Sequence, residues 1–331
     1  MVKIGNIELG DFPLLLAPME DVSDPPFRAL CKENGADVVY TEFISSEGLI
    51  RNAVKSTMKL DIYEKERPVG IQIFGANLDS MLKSVEIVEQ TKPDIIDINF
   101  GCPVKKVVCK GAGAGILKDI DKMEMLTREM AKRTKLPLTV KTRLGWDEKT
   151  IKIVEVAERI QDAGAQAITI HGRTRAQMYK GSADWSLIAE VKNNSRMKIP
   201  VFGNGDVYSP EKAVEMRDNF GLDGAMIGRA SIGNPWFFNQ VKHFFKTKTH
   251  LTEPTIIERI EMAQKHLKMA IKWKGEKLGV LETRRHYSNY FKGIPDFKKH
   301  RTTMVTSDYS KDIFNLLLDL KSKFKDHELA C

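Results

Sequence analysis

The strongest constraint on this chain is a recurrence. Eight short apolar runs of strand-like composition are each followed by a helical pattern. They are Leu14–Met19, Val38–Ile44, Val69–Phe74, Ile95–Phe100, Leu138–Thr142, Ala167–His171, Pro200–Asn204 and Gly224–Gly228. The stretches between them, such as 78–91, 120–134, 151–163, 185–192 and 210–220, space their apolar residues for one helical face. Ser209 before Pro210 reads as a helix start, and Gly164 after Ala163 as a stop. Strands alternating with helices imply a parallel sheet with right-handed crossovers. Eight such units fit a closed (β/α)8 TIM barrel. The alternative is an open doubly wound sheet, which more often carries a glycine fingerprint after its first strand. Here the first strand runs into APMEDVSDPPFR, which has no glycine, so a barrel is expected.

After residue 245 the pattern changes. Residues 246–254 are polar and read as a linker, 255–274 and 312–324 as helices, and 302–310 as a loop. We therefore expect a barrel domain over 1–248 and a small all-helical domain over 249–331. The formal charge is +8, and the residues after 241 supply all of it, with 19 Lys+Arg against 11 Asp+Glu. A basic tail on a neutral body suggests a polyanionic partner; the plain alternative is a lysine-rich solvated surface. No apolar stretch approaches the ~20 residues of a membrane span. The opening residues lack the apolar region of a signal peptide, so a cytoplasmic protein is expected. Four cysteines with no C-x-x-C pair argue against a zinc site, and no metal is expected. Cys31 reads as a core residue, and Cys331 ends the chain.

Barrels gather their function at the C-terminal ends of the strands. The polar residues there form a consistent set. Ala17, Pro18 and Met19 end strand one, and Gln72 lies in strand three. Asn99 and Cys102 follow strand four, and Lys141 and Arg143 end strand five. His171 and Arg173 end strand six, and Asn204-Gly205-Asp206 and Gly228-Arg229 follow the last two strands. Glycine loops after strands seven and eight suit a phosphate, although Asn-Gly is also an ordinary turn. A lysine ending a buried strand must be paired or used. Lys141 is therefore either an ion-pair partner of Asp97 or a cation beside a cofactor that becomes anionic on reduction, such as a flavin. Cys102 sits in a loop with Lys105, Lys106 and Lys110. Cations nearby favour a nucleophilic thiolate, yet no histidine stands near in sequence as its base, so a proton-donor role is equally allowed. A metal pair of Cys102 with Cys109 is a weaker reading.

At these residues the sequence resembles a known family. APMEDVSDPPFR, INFGCPVKKVVCKGAGAGILKD, VKTRLGW, HGRTRAQMYKGSADW, GNGDV and GAMIGRASIGNPW are similar, in order, to the motif blocks of the tRNA-dihydrouridine synthases, with the bacterial B-type branch nearest. The resemblance resumes at RRHYSNYFKGIPDFKKHR. Glu20-Asp21 and Ser23 depart modestly from the usual pattern. The resemblance implies a barrel that binds FMN, uses NADPH as reductant and carries a helical RNA-recognition domain for tRNA. It implies that Ala17, Pro18, Met19, Gln72, Lys141, His171, Asn204, Gly205, Asp206, Gly228 and Arg229 surround FMN. It makes Cys102 the proton donor and Asn99 a uracil contact.

A mechanism follows as an expectation. Hydride from the reduced flavin N5 adds at uracil C6, and a thiol near its usual pKa, still protonated at neutral pH, delivers a proton to C5. Arg173, Arg175 and Lys180 after strand six, and Arg284, Arg285, Lys292, Lys298 and Lys299 in the tail, are expected along the RNA path. Tyr287, Tyr290 and Phe291 among the basic tail residues suit either base stacking or a helix core. A monomer is expected. The competing functions are a flavin enzyme acting on a free pyrimidine or enone, a synthase acting on ribosomal RNA, and an RNA-binding barrel without chemistry.

Overall fold

The computed structural model describes residues 1–294 and 297–328; Cys331 lies outside the described residues. Eleven strands are present among them: β1 (Val2–Ile4), β2 (Ile7–Gly10), β3 (Leu14–Leu16), β4 (Val38–Tyr40), β5 (Ile44–Ser45), β6 (Val69–Phe74), β7 (Ile95–Phe100), β8 (Leu138–Arg143), β9 (Ala167–His171), β10 (Val201–Asn204) and β11 (Gly224–Ile227). The last nine form one parallel sheet in the order β4-β3-β11-β10-β9-β8-β7-β6-β5, and β4 also pairs with β6. The sheet is thus closed. β4 and β5 are two pieces of the second expected strand, interrupted at residues 41–43, so the barrel has eight staves as the recurrence predicts. Helices fill the crossovers, and several of them start on a side-chain cap. Asn77, Asp119 and Ser209 each accept a backbone N–H from the first turn of the helix that follows.

Alternation along each strand sorts residues between two cores. Outward residues such as Leu14, Leu16, Ile96, Ile98, Val140, Ile168 and Ile170 pack under the helices. Inward residues Leu15, Val38, Ile95, Ala167, Phe202 and Met226 fill the lower barrel with Ile4. The β1–β2 hairpin, not expected above, packs Val2, Ile7 and Leu9 against that cluster. Its two-residue Gly5-Asn6 turn between the paired Ile4 and Ile7 is the signal that identifies it. One layer higher the inward residues turn polar. Gln72 pairs in register with Asp97, and Asp97 with Thr139; above them Asn99 pairs with Lys141, and Asn204 and Arg143 each with His171.

Three helices follow the barrel. The first spans Ile256–Tyr290, with a break at Gly275 (φ 80°), and the others span Lys298–Thr306 and Ser310–Glu328. Residues 302–306 are therefore helical where a loop was expected. The β-branched threonines there lower helix propensity, but burial of Met304 among Leu317, Phe297 and Tyr290 outweighs it. Tyr287, Tyr290 and Phe291 are core residues of this bundle, not exposed stacking platforms.

The bundle is fastened to the barrel by polar contacts. Lys274 is nearly buried and pairs with Glu282 and with Asp24 at 2.7 Å. Asp24 also accepts from Phe27 N and so caps the helix Pro25–Glu33. Trp273 Nε1 donates to Asp61 at 2.9 Å, and the Gly233 amide donates to His286 Nδ1 at 3.0 Å. No helix among the described residues is long and apolar enough to cross a membrane.

Candidate active site

The upper end of the barrel opens into a cavity of about 1060 Å³, lined by strand ends on one side and by Arg259, Asn289, Tyr290 and Lys292 of the bundle on the other. This is at the upper end of the range for cofactor sites. Of the expected cofactor residues, Ala17, Pro18, Met19, Lys141, His171, Asn204, Gly205, Asp206, Gly228 and Arg229 line it, as do Asn99 and Cys102. Gln72 does not. It is fully buried, with Nε2 donating to Asp97 and Oε1 accepting from Asn99.

Lys141 Nζ donates to Asn204 Oδ1 at 2.9 Å, and Asn204 Nδ2 in turn donates to the Met226 carbonyl. The ion pair with Asp97 does not form; Asp97 takes Gln72 and Thr139 as partners instead. Burial first, and then the Arg143 guanidinium, bring Lys141 down to about 8. The site thus holds a half-buried cation with no carboxylate partner among the described residues. His171 is pushed well below its ordinary range by burial and by Arg143, Lys141, Arg173 and Arg229, so it is neutral at pH 7. Gly205 has φ +110°, and a Cβ there would stand 2.8 Å from His171 Cδ2. Only glycine lets that loop pass the imidazole.

Cys102 is 7% exposed and packs with Val107, Ala112, Phe43 and Phe74. Burial pushes its thiol up, against smaller lowering by the Val104 amide and Arg143. The lysines of its loop do not produce a thiolate: Lys105, Lys106 and Lys110 point to solvent. A thiol held protonated can give a proton; it is a poor nucleophile. The loop closes through the Ala114 amide on the Cys102 carbonyl at 3.0 Å, beside Gly113 at φ +54°. Cys109 is exposed. The one cluster of potential metal ligands among the described residues is Glu20, Asp21 and Glu42, which includes neither cysteine.

Several expected RNA contacts are placed differently. Arg173 is 2% exposed, clamps Asp206 with two bonds of 2.9 and 2.7 Å, and holds the Lys180 and Gly181 carbonyls. Its donors are spent inside the protein, so it is not a surface contact. Asp206 also accepts from the Ala183 amide and pairs with Arg229 at 3.2 Å. Its carboxylate therefore orients cations and does not face an anion. Arg175 stacks over Trp146, 4.5 Å from ring centre, and Lys180 is exposed. Arg284 holds the Ser307 carbonyl and Asp308, and Arg285 reaches the Glu20 carbonyl and Asp21. Lys292, Lys298 and Lys299 are exposed.

Two further polar residues shape the cavity wall. Arg143 donates to the Gly101, Thr174 and Met178 carbonyls and so fixes the Cys102 loop against the loop after β9. Tyr179 stands between Arg143 and Arg229, its ring 5.8 and 5.3 Å from their guanidinium carbons. Arg143 falls at a strand end and was legible there; Tyr179 lies within the block HGRTRAQMYKGSADW but eight residues past the strand end.

Residues 15–325 match the dihydrouridine synthase (Dus) family. The chain belongs to the dihydrouridine synthase family. It is 37% identical over 305 residues to a probable tRNA-dihydrouridine synthase of Rickettsia prowazekii, covering 92% of each chain. It is 37% identical over 300 residues to tRNA-dihydrouridine synthase B of Pseudomonas putida, covering 91% of this chain and 88% of the other. Among solved structures it is similar to histamine dehydrogenase from Rhizobium sp. 4-9, with TM-score 0.53, 13% identity and coverage of 80% and 50%. It is also similar to a 2-naphthoyl-CoA reductase, with TM-score 0.55, 11% identity and coverage of 73% and 51%. These two likenesses carry the barrel fold alone. In this dihydrouridine synthase the Cys102 thiol, the Lys141 cation and the neutral His171 imidazole line a single cavity.

Proposed function

We propose that this enzyme reduces uridines in tRNA to 5,6-dihydrouridine, with FMN as bound cofactor and NADPH as reductant. The observation that carries this reading is the pairing, in one cavity, of a protonated Cys102 with a Lys141 cation that has no carboxylate partner among the described residues. The residues suit a flavin nucleotide. Lys141 and neutral His171 would hold the ring edge and its neighbouring oxygens, and Arg229 with the Gly205 and Gly228 loops would take the phosphate. Gln72 would act through Asn99. Reduced flavin, when bound, supplies a hydride equivalent to C6 of the base.

The chain's own residues do the rest. Asn99 contacts the uracil and holds the Cys102 backbone. The Cys102 thiol gives its proton to C5, and burial keeps that proton in place until the base arrives. The target uridine must leave its stack, which costs a few kcal/mol. Phosphate contacts offset this, with Lys180, Lys292, Lys298 and Lys299 the exposed candidates and Arg175 at their edge. Arg284 and Arg285 would have to exchange their present partners. Within this reading residues 1–248 are the catalytic domain and 249–331 the RNA-recognition domain.

The test is to map dihydrouridine in cellular RNA with and without this gene. Loss of specific tRNA sites is the expected result. Loss confined to ribosomal RNA would move the substrate there, and an unchanged map would refute the proposal.

A further inference from the structure

The polar layer beneath the cavity forms one chain of hydrogen bonds, and that chain has a direction. At its upper end the backbone amides of Gly101 and Cys102 donate to Asn99 Oδ1 at 3.0 and 2.8 Å. A backbone N–H can only donate. Asn99 must therefore present its oxygen upward and its Nδ2 elsewhere. Nδ2 donates to Gln72 Oε1 at 2.7 Å. Gln72 must then turn its own Nε2 away, and it donates to Asp97 Oδ2 at 2.6 Å. An ionised carboxylate only accepts. The chain starts on two donors and ends on an acceptor, so each amide between has one permitted orientation.

Stability does not explain a carboxylate at the lower end. Asp97 is 1% exposed, and its partners Gln72 and Thr139 are both neutral. Burial raises its carboxyl to about 6, against smaller lowering by Thr139, Gln72 and Lys141. An asparagine would fit the same space with a smaller desolvation penalty. It would also offer a donor as well as an acceptor, so only the Gly101 and Cys102 amides would then hold the direction, and the reversed arrangement would become cheaper. A reversed chain would aim Asn99 Nδ2 at the two backbone donors and release the loop.

We propose that Asp97 is a positioning residue for the proton donor: its acceptor-only carboxylate locks, from below, the one direction of the Gln72–Asn99 amide chain that the Gly101 and Cys102 amides require, and so holds the Cys102 backbone at the site. The inference rests on the reading of Cys102 as the acid.

Asp97→Asn keeps the shape and removes the lower of the two constraints on direction. Transfer from pre-reduced enzyme to RNA should fall about tenfold with KM for RNA unchanged, while flavin reduction by NADPH keeps its rate. Alkylation of Cys102 by iodoacetamide, followed by peptide mass spectrometry, should become faster as the loop loosens. The double variant D97N/N99D should bring alkylation back to the starting rate. There the new carboxylate at position 99 accepts from the backbone amides and from a turned-round Gln72, and the new amide at position 97 donates to Gln72 Oε1. A merely structural role for Asp97 predicts no such rescue.

Unchanged transfer and alkylation in Asp97→Asn, or no rescue by the second change, would overturn the inference. If Asp97→Asn does not fold, Gln72→Met interrupts the same chain, and the same alkylation rate decides: faster supports the inference, unchanged overturns it. Full product yield from Cys102→Ala would instead overturn the acid assignment; an inactive Cys102→Ala beside a normal Asp97→Asn would sink the positioning role alone.

Discussion

The two ends of the barrel are built by the same strands and have opposite chemistry. β7 shows it alone. Ile95, Asp97 and Asn99 all face inward, yet the first lies in an apolar plug, the second in a closed polar layer and the third in the wall of the cavity. At the lower end Ile4 of the hairpin meets Phe202, Met226 and Leu15, and water is excluded. At the upper end Lys141, His171 and Asn204 occupy the equivalent inward positions one or two steps on, with no hairpin over them. Period-two alternation sets which face a residue takes; height along the strand sets whether that face is for packing or for chemistry.

The contrast predicts separable failures. The largest effect belongs to the upper end. Cys102→Ala should lower dihydrouridine formation by about 10²–10⁴-fold, with the melting temperature and FMN binding close to those of the parent. Mass-spectrometric nucleoside analysis reads the first, and a product yield within twofold of the parent would remove the thiol from the reaction.

Phe202→Ala should do the reverse. Deleting a fully buried ring from the lower cluster should destabilise the fold by about 3–5 kcal/mol, while the molecules that remain folded turn over normally. Urea unfolding, with activity normalised to the folded fraction, would show it. A loss of turnover per folded molecule would mean that the two ends are coupled.

The smallest effect is a slope with pH. The Lys141 pKa is lowered in the folded protein to about 8, so its charge is lost as pH rises through that value. Affinity for FMN should therefore weaken from pH about 8 upward. Stability should move the other way. Between about 8 and the usual lysine range the unfolded chain binds more protons than the folded one, so folding gains as pH rises. Lys141→Gln should flatten the binding slope and weaken FMN at pH 7 by about tenfold. Fluorescence titration across that range tests both, and a parent slope that survives the substitution would assign it to another group.

Most of the upper end was legible because a barrel gives position a meaning. Asn99, Cys102, Lys141, His171 and Asn204 could be named from their places at strand ends, before any contact was known. What strand-end position cannot say is which partner a side chain finds. Gln72 and Arg173 satisfy that criterion as well as Lys141 does, yet one is engaged with Asp97 and Asn99 and the other with Asp206. Their partners lie 25, 27 and 33 residues away, set by register and loop closure that no local pattern encodes. The helix at Lys298–Thr306 was hidden for a related reason. Its threonines argue against it locally, and the burial of Met304 that decides it depends on the helices before and after.

Asp24 serves the barrel and the bundle at once. One of its oxygens caps the start of a barrel helix and the other meets an ammonium carried by the bundle. A serine would start that helix about as well but would strand Lys274 with Glu282 alone. Grafting this tail onto a foreign barrel would therefore need an aspartate transplanted with it, 250 residues upstream of Lys274.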